Sequence, residues 1–323
     1  MLRVGLRQRV GAILYDWPRF CRAISTRKGW VRFRNRNEAL TFDARTEGAR
    51  CQWTYTSDLH ICAVNPFTAK WLLHRATAQW PIAVSEHPSV PGEPRVSFII
   101  GHRGEERAHL LVKTLATIAA QNEVPVECIV VEQSARPVVK RRLPQWVRYV
   151  HTTIESDDLP YNRSATLNAG AALAKAPLLV LHDNDFLVPA AYASELTKRH
   201  DEGNDIIDLK RFMFYMRRDG NGVERVVQNL LAGGSVAVDR QAYFEIGGMD
   251  DSFVGWGGED NEFWDRASIR RVFDFAYLPL VHQWHAPQPE KAANEATTAQ
   301  PRLQELLAIP RQERIRRLRN RSF

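Results

Sequence analysis

The chain has 323 residues, of which 44% are hydrophobic and 25% are charged, a composition typical of a globular protein with a large core. Its longest apolar runs, 96–100 and 176–181, are far shorter than the roughly 18 residues that a membrane span needs. The apolar patch 10–14 is also too short for the core of a signal peptide. We therefore expect neither an export signal nor a membrane anchor in this sequence.

The net charge of +7 is concentrated at the two ends of the chain. Residues 1–50 contain 12 Lys and Arg against 4 Asp and Glu, and residues 301–323 contain 7 against 2. Such ends favour an anionic partner, either a membrane leaflet or a nucleic acid, although solvated arginine-rich tails have the same composition. Of the two partners, we expect a peripheral contact with an anionic membrane at its cytoplasmic face.

The first 94 residues show short alternations of apolar and polar residues. The alternations at 31–34 and 52–56 predict short, half-exposed strands. Residues 81–94 contain four prolines and predict a linker. We therefore expect an N-terminal extension of unknown role (1–94), a main domain (95–290) and a basic helical tail (291–323), which either lies on an anionic surface or packs on its own domain.

From residue 95 the chain alternates short apolar runs with segments of helical period. This alternation predicts an α/β fold with a mostly parallel sheet flanked by helices. Ligands of such sheets bind beyond the carboxyl ends of the strands, where His102, Arg103 and the triplet 183–185 lie. The runs that predict strands are 96–100, 128–131, 147–151 and 178–181.

Asp183-Asn184-Asp185 directly follows the last of these runs. Carboxylates at a strand end suit a hard divalent ion, Mn²⁺ or Mg²⁺, that bridges phosphate oxygens. Aspartates in a turn also commonly cap a helix, which is the structural alternative. His282 and His285 would complete with Asp185 a mixed nitrogen and oxygen site that favours Mn²⁺, unless the histidines only decorate the surface.

Residues 254–262 combine three glycines and Trp256 with the adjacent carboxylates Glu259 and Asp260. Glycine lets the backbone approach a substrate closely, a tryptophan can stack on a sugar ring, and a carboxylate can accept the proton of a sugar hydroxyl. The start of a helix is the structural alternative, because acidic residues favour that position. Both interpretations can hold together.

These motifs, in this order, resemble the β-1,4-galactosyltransferases and related domains of the GT-A (Rossmann-like) glycosyltransferase fold. The resemblance covers residues 95–289, about 60% of the chain. The Gly-Trp-Gly-Gly-Glu-Asp segment is its most specific part, whereas an acidic triplet is general to the fold. The motifs that carry it are 98–103, 131–134, 161–170, 183–189, 232–237, 255–262 and the pair His282 and His285.

The resemblance implies a role for each matching residue. Asp260 would be the base of an inverting displacement, beside Glu259, and Asp185 and His285 would ligate Mn²⁺, with His282 as a further candidate ligand. The residues implied to contact the donor, its diphosphate or the acceptor are His102, Arg103, Tyr161, Arg163, Asp183, Gly234, Trp256, Gly258 and Glu259.

Three positions depart from the pattern of these relatives. His282 stands where they typically have Met, and Gly101 stands where they usually have Pro. Leu231 replaces the bulkier Tyr of the galactose-specific members, which would leave room for an N-acetyl group.

We therefore expect an inverting glycosyltransferase that moves galactose or N-acetylgalactosamine from a UDP-sugar to a glycan or lipid-linked glycan, in the synthesis of surface polysaccharide. One alternative is another donor, UDP-GlcNAc or UDP-glucose, or a retaining outcome. A second alternative is a non-catalytic carbohydrate-binding protein, which the nine tryptophans and the basic ends would suit.

Overall fold

The computed structural model describes residues 5–36, 38–52, 57–228, 233–255, 257–286 and 299–321. Within these ranges, every helix falls short of the length and apolar character that crossing a membrane requires. The strands are β1 (Leu40–Phe42), β2 (Ala49–Cys51), β3 (Ser57–Asp58), β4 (Val96–His102), β5 (Val126–Ser134), β6 (Arg148–Thr153), β7 (Leu178–His182), β8 (Phe186–Leu187), β9 (Ile206–Ile207), β10 (Lys210–Met216), β11 (Val223–Gln228), β12 (Ser235–Asp239), β13 (Val272–Phe273) and β14 (Leu278–His282).

Helices cover both faces of the main sheet and both ends of the chain. A π-helical turn (Ala12–Asp16) joins the first two helices, and short 3-10 helices occur at Gly29–Arg32 and Lys140–Arg142. The α-helices are α1 (Leu6–Gly11), α2 (Trp17–Ile24), α3 (His60–Val64), α4 (Pro66–Gln79), α5 (Ala108–Ala119), α6 (Arg163–Leu173), α7 (Tyr192–Asp201), α8 (Arg240–Glu245), α9 (Glu259–Ala267), α10 (Ala299–Leu307) and α11 (Arg311–Arg319).

The main sheet confirms the predicted α/β fold. Its described strands follow the order β13-β9-β12-β7-β4-β5-β6. β4 pairs in parallel with both β5 and β7, and β6 is parallel to β5, whereas β12 runs antiparallel to β7. The carboxyl ends of β4, β5 and β7 therefore meet at one edge, where the predicted site residues follow them.

Alternating residues of β4 face two different cores. Phe98 and Ile100 pack with Leu111 and Leu115 of α5, whereas Ile99 packs with Leu167 of α6. This alternation is what a parallel sheet covered by helices on both faces requires. The continuous apolar run in β4 thus reflects burial on two sides.

A second sheet brings the histidine pair to the acidic turn. Its order is β3-β11-β10-β14-β8, and β8 begins directly after Asp185. In the pairing of β14 with β8, His282 lies opposite Phe186. Residues about 100 positions apart in the chain thereby become neighbours.

The N-terminal residues share one hydrophobic core with the sheet. Buried side chains of this part, such as Trp30, belong to the same apolar cluster as Phe98 and Phe212. The buried Arg211 guanidinium donates to the carbonyls of Val31 and Phe33, at 2.6 Å in each case. The division at residue 94 stays a prediction, because the core itself extends across it.

One secondary-structure prediction in this part is wrong. Residues 31–34 were expected to form a strand, but Gly29–Arg32 is a 3-10 helix. The alternation arises because Val31 and Phe33 are buried, while Arg32 is exposed and lies over the Phe42 ring. The other predicted strand falls mainly on residues 53–56, outside the described residues.

The basic tail forms two helices that pack on the main domain. Leu303 and Leu306 of α10 are buried with Phe253, and α11 begins after Pro310. Arg314 is buried and its Nη1 donates to Glu262 Oε1 at 2.6 Å. Of the two alternatives for this tail, packing on its own domain is confirmed.

Candidate active site

The acidic turn 183–185 follows β7 and is held by its neighbours on all sides. Asn184 and Asp185 are buried, so the direction of each carboxyl group depends on fixed contacts. These contacts come from four other segments of the chain. The hydrogen bonds are Asp183 N to Gly234 O (2.9 Å), Thr114 Oγ1 to Asn184 O (3.0 Å), Asn184 Nδ2 to His102 Nδ1 (2.8 Å) and Gln283 N to Asp185 O (2.9 Å).

Asp185, His282 and His285 form what we call the Asp185 cluster. Their candidate ligand atoms all lie within 4.8 Å of one another. Asp185 Oδ2 is 3.3 Å from His285 Nε2, and Asp185 Oδ1 is 3.9 Å from His282 Nε2. The structure thus brings together the three side chains that the sequence predicted as metal ligands.

The electrostatics of this cluster fit a divalent cation. Burial, and then the charge of His285, lower the pKa of His282 to about 3, so its imidazole is neutral and can act as a ligand at neutral pH. Burial and the neighbouring charge of Asp183 raise the pKa of Asp185 to about 7. The positive charge already near Asp185 therefore does not offset its burial, and a metal ion between the three side chains would add to that charge.

Aromatic rings fix the position of His282. Tyr215 stacks on its imidazole with 4.4 Å between ring centroids, and Phe186 contacts it edge-on at 4.9 Å. The Phe186 ring in turn packs on Gly234, where an added Cβ would lie 2.9 Å from Phe186 Cζ. With a φ of +77°, Gly234 thus supports the candidate metal ligand His282 rather than presenting a group of its own.

Arg107 joins the Asp185 cluster, although the sequence did not single it out. Its Nη1 lies 3.5 Å from Asp185 Oδ2 and its Nη2 lies 3.0 Å from His285 Nδ1. Arg107 immediately precedes α5, within the loop that follows β4. The only sequence feature that points to Arg107 is its position after β4, a strand that ends at the site. Arg103 follows the same strand, so this feature does not distinguish the two arginines.

A second group, the Arg163 cluster, links the two acidic segments of the sequence. It consists of Arg163, Asp183 and Asp260. Arg163 donates to Asp183 Oδ1 from Nε at 2.9 Å and from Nη2 at 2.7 Å, and its Nη1 donates to Asp260 Oδ1 at 2.9 Å. A guanidinium can bridge two carboxylates in this way because it presents a planar fork of donors.

Charge compensation in the Arg163 cluster keeps Asp183 ionised. Burial alone would raise the pKa of Asp183, but the charge and hydrogen bonds of Arg163 outweigh burial and lower that pKa. Burial likewise disfavours the charged form of Arg163, yet the surrounding carboxylates raise its pKa well above the ordinary value. The salt bridge is therefore fully charged at neutral pH.

The glycine-rich segment leads into α9 in a conformation that needs glycine. Gly255, Gly257 and Gly258 have φ values of +87°, +101° and +86°, in the left-handed region. Gly258 caps α9, and the acidic residues that follow lie in its first turn, where the helix dipole favours them. The predicted helix start is confirmed, whereas Trp256 lies outside the described residues.

The two adjacent carboxyl groups of α9 lie in different environments. The Asp260 side chain is 28% exposed, whereas that of Glu259 is 9% exposed. Burial, and then the charge of Asp260, raise the pKa of Glu259 to about 7. Glu259 Oε2 has no hydrogen-bond partner among the described residues. Asp260 is thus the more accessible of the two to an incoming hydroxyl.

His102 is buried at the end of β4 and orients the acidic turn. Its Nε2 donates to Gly104 O at 2.8 Å and its Nδ1 accepts from Asn184 Nδ2 at 2.8 Å. Burial lowers the pKa of His102, which keeps the ring neutral. Both ring nitrogens are used within the protein, and a contact of this residue with uridine stays a prediction.

Arg103 and Tyr161 connect the ends of β4 and β5 to the loop before α6. Arg103 Nε donates to Gln133 O at 3.0 Å, and its guanidinium lies over the Tyr161 ring at 5.4 Å. Burial raises the pKa of Tyr161 to about 12, and its hydroxyl lies 3.0 Å from Thr166 Oγ1. Both residues line the same end of the sheet as the two clusters.

The glycine at position 101 has a physical reason in this chain. A Cβ there would lie 2.2 Å from the Tyr161 hydroxyl and 2.3 Å from Thr166 Oγ1. Any larger residue, including the proline of the resembling enzymes, would require this loop to move. Glycine in place of proline at position 101 therefore allows Tyr161 to pack against β4.

Comparison with known proteins supports the class that this site suggests. Residues 225–276 match a family model described as the N-terminal domain of galactosyltransferase. The matched span includes Gly234 and the segment 255–262, whereas Asp185 and His282 lie outside it. No curated protein matches the chain.

The match supports a galactosyltransferase-like family and an enzyme that transfers a sugar. In this class a sugar donor and a glycan acceptor are the substrates, and the Asp185 cluster is the candidate metal site.

Proposed function

We propose that the protein is an inverting, metal-dependent glycosyltransferase that moves galactose or N-acetylgalactosamine from a UDP-sugar to a glycan hydroxyl. The observation that carries the proposal is the position of Arg163, whose guanidinium donates to both Asp183 and Asp260, while Asp185, two residues after Asp183, faces the histidine pair. A candidate metal site and a candidate base therefore share one end of the sheet.

Asp185, His282 and His285 would hold the divalent ion, with Mn²⁺ preferred over Mg²⁺ because two of the three ligands are imidazoles. Once bound, the ion would neutralise the charge that develops on the departing UDP. Arg107, which already contacts this cluster, would add a fixed positive charge beside the diphosphate.

Asp260 would accept the proton of the acceptor hydroxyl as that oxygen attacks the anomeric carbon. The bond between this carbon and the diphosphate oxygen breaks on the opposite side, so the configuration at the carbon inverts. Arg163 holds the Asp260 carboxyl in one orientation through Oδ1, which leaves Oδ2 for the proton. Glu259, neutral over much of the acidic range, could donate a hydrogen bond to the sugar.

The finer parts of the proposal rest on the resemblance. Trp256 would stack on a sugar, and Leu231 would leave room for an N-acetyl group, but both residues lie outside the described residues. The acceptor would be a glycan or lipid-linked glycan of a surface polysaccharide, at the cytoplasmic face of a membrane.

The test is UDP release from a panel of UDP-sugars, with and without Mn²⁺, for the wild type and Asp185→Ala. We expect release from UDP-galactose or UDP-N-acetylgalactosamine that needs Mn²⁺ and is lost in the variant. Asp201→Ala, which removes an exposed carboxylate paired with Arg95, is the matched control and should behave as the wild type. Release that is equal without metal would contradict the assignment of the Asp185 cluster.

If no donor is turned over, calorimetry of UDP with Mn²⁺ distinguishes the possible explanations. UDP binding that needs Mn²⁺, without turnover of any donor, would indicate that the true acceptor is required. Absence of both binding and turnover would favour the carbohydrate-binding alternative. Product stereochemistry would then distinguish inversion from retention.

A further inference from the structure

The N-terminal helical segment leaves its large apolar side chains in solvent. This segment, residues 6–24, consists of α1, the π-helical turn and α2. Its exposed large hydrophobic side chains belong to Leu6 (79% exposed), Val10 (47%), Ile13 (57%), Leu14 (61%), Tyr15 (58%) and Trp17 (42%).

All of these residues except Tyr15 form one stripe along the helix. Positions 6, 10, 13, 14 and 17 follow the spacing of a single helical face. The opposite face, which carries one large apolar side chain (Phe20) among small and polar residues, packs on the body of the protein. Its buried members are Gly11, Ala12, Asp16, Phe20 and Ala23.

The segment is thus attached through its less apolar side. Asp16 is fully buried and accepts a hydrogen bond from the Arg36 backbone N–H at 2.9 Å. Soluble proteins normally direct the apolar stripe of a helix inward. A stripe that points outward from an anchored helix indicates a partner surface.

The charges around the stripe are positive. Arg7, Arg22 and Arg27 are exposed and pair with no carboxylate among the described residues. The acidic side chain of this segment, Asp16, is buried on the opposite side. An apolar stripe with flanking arginines and an interfacial tryptophan is the pattern of helices that lie in the headgroup region of anionic bilayers.

We propose that the stripe Leu6, Val10, Ile13, Leu14 and Trp17, together with its flanking arginines, docks the protein on an anionic phospholipid bilayer. The occupant is a bilayer rather than a second copy of this chain. A two-fold contact would oppose the same arginines across the interface, whereas phospholipid headgroups carry the complementary charge.

The C-terminal tail, which is also basic in sequence, lacks this arrangement. Arg311 binds Asp265 at 2.8 Å and Arg314 binds Glu262 at 2.6 Å, so these cations are used within the protein. Leu303 and Leu306 are buried against Phe253. Charge composition predicted an anionic contact at both ends, and the structure favours the N-terminal one.

The test is co-sedimentation of the full chain with phosphatidylcholine vesicles that contain or lack phosphatidylglycerol. The wild type should bind only the vesicles with phosphatidylglycerol. Both a double variant Ile13→Asp, Leu14→Asp and a double variant Arg7→Glu, Arg22→Glu should bind at least about tenfold more weakly. The matched control Arg316→Glu, Arg317→Glu should bind as the wild type, because it changes the exposed charges of α11 instead.

Two further readouts keep this inference separate from the proposed reaction, on which it does not rest. Thermal unfolding and UDP release in vesicle-free buffer should be unchanged in all three variants. Equal vesicle binding by the Ile13→Asp, Leu14→Asp variant and the wild type would overturn the inference. A wild-type dimer in light scattering that this variant converts to a monomer would overturn it in favour of a contact between copies.

Discussion

Asp183 and Asp185 are separated by one residue, yet they belong to clusters with opposite electrostatics. In the Arg163 cluster, one guanidinium compensates two carboxylates, and the pKa of Asp183 is lowered despite its burial. In the Asp185 cluster, burial and the charge of Asp183 raise the pKa of Asp185 to about 7. A carboxylate whose cation outweighs its burial is fixed in place, whereas Asp185, whose burial outweighs the charge of Arg107 at 3.5 Å, is the candidate to receive an ion.

The largest expected effect separates the chemical roles of the two clusters. Asp260→Asn should reduce turnover by roughly a thousandfold, because it removes the proton acceptor, while the affinity for UDP with Mn²⁺ changes by less than about threefold. Asp185→Asn should reduce both turnover and that affinity. Steady-state kinetics measures turnover and calorimetry measures the affinity in both variants. Unchanged turnover in Asp260→Asn would refute the role of Asp260 as base.

Arg163→Met tests the compensation within the Arg163 cluster. It should lower the free energy of unfolding at pH 8 by about 2 to 3 kcal/mol, because Asp183 and Asp260 lose their shared cation. The loss should shrink as the pH falls towards 4, since protonation removes the uncompensated charge. Urea unfolding measures this loss of stability. The control Arg95→Met, which breaks the exposed ion pair with Asp201, should lower the free energy of unfolding by less than about 1 kcal/mol.

Glu259→Gln tests the buried carboxyl group beside that cluster, whose burial outweighs the charge of Arg163 at 4.0 Å. Its native pKa of about 7 lies above its unfolded value, so the wild type loses stability as the pH rises from about 4 to about 7. The neutral amide avoids this loss. We expect the variant to be more stable than the wild type at pH 8, on the order of 2 kcal/mol, and equal to it at pH 4. Urea unfolding at both pH values checks this, and a less stable variant at pH 8 would contradict the burial argument.

The smallest effect concerns the support of the Asp185 cluster. Gly234→Ala should lower the free energy of unfolding by about 1 to 2 kcal/mol, because the φ of Gly234 is +77° and the added Cβ would meet the Phe186 ring. Because Phe186 contacts His282, Mn²⁺ should also bind a few-fold more weakly. Gly220→Ala is the matched control, since Gly220 has a φ of +69° but no atom within 4 Å of the added Cβ. Equal Mn²⁺ affinities in the two variants would disprove the support through Phe186.

Much of the fold was predictable because its signals are local. The apolar runs of β4, β5, β6 and β7 and the helical period of α9 each depend on neighbouring residues alone. The 3-10 helix at Gly29–Arg32 was not predictable, because its alternation comes from contacts with Arg211 and Phe42, which lie elsewhere in the chain.

The candidate site likewise contains residues that the sequence predicts and one that it does not. Its carboxylates and histidines were recognisable by residue type, order and spacing. Arg107 was not, because among many arginines only the three-dimensional arrangement shows which one lies against Asp185.

The sequence by itself determined the α/β class, the strand ends that carry the acidic turn and the glycine-rich start of α9, since periodicity and glycine content are properties of short segments. Only the tertiary structure decided which acids are compensated and which exposed arginines, such as Arg7 and Arg22, pair with no carboxylate among the described residues. Arg163 binds Asp183 and Asp260, and Arg314 binds Glu262, because folding brings distant segments together. Charge pairing depends on the distance between groups and on their burial, and amino-acid composition specifies neither.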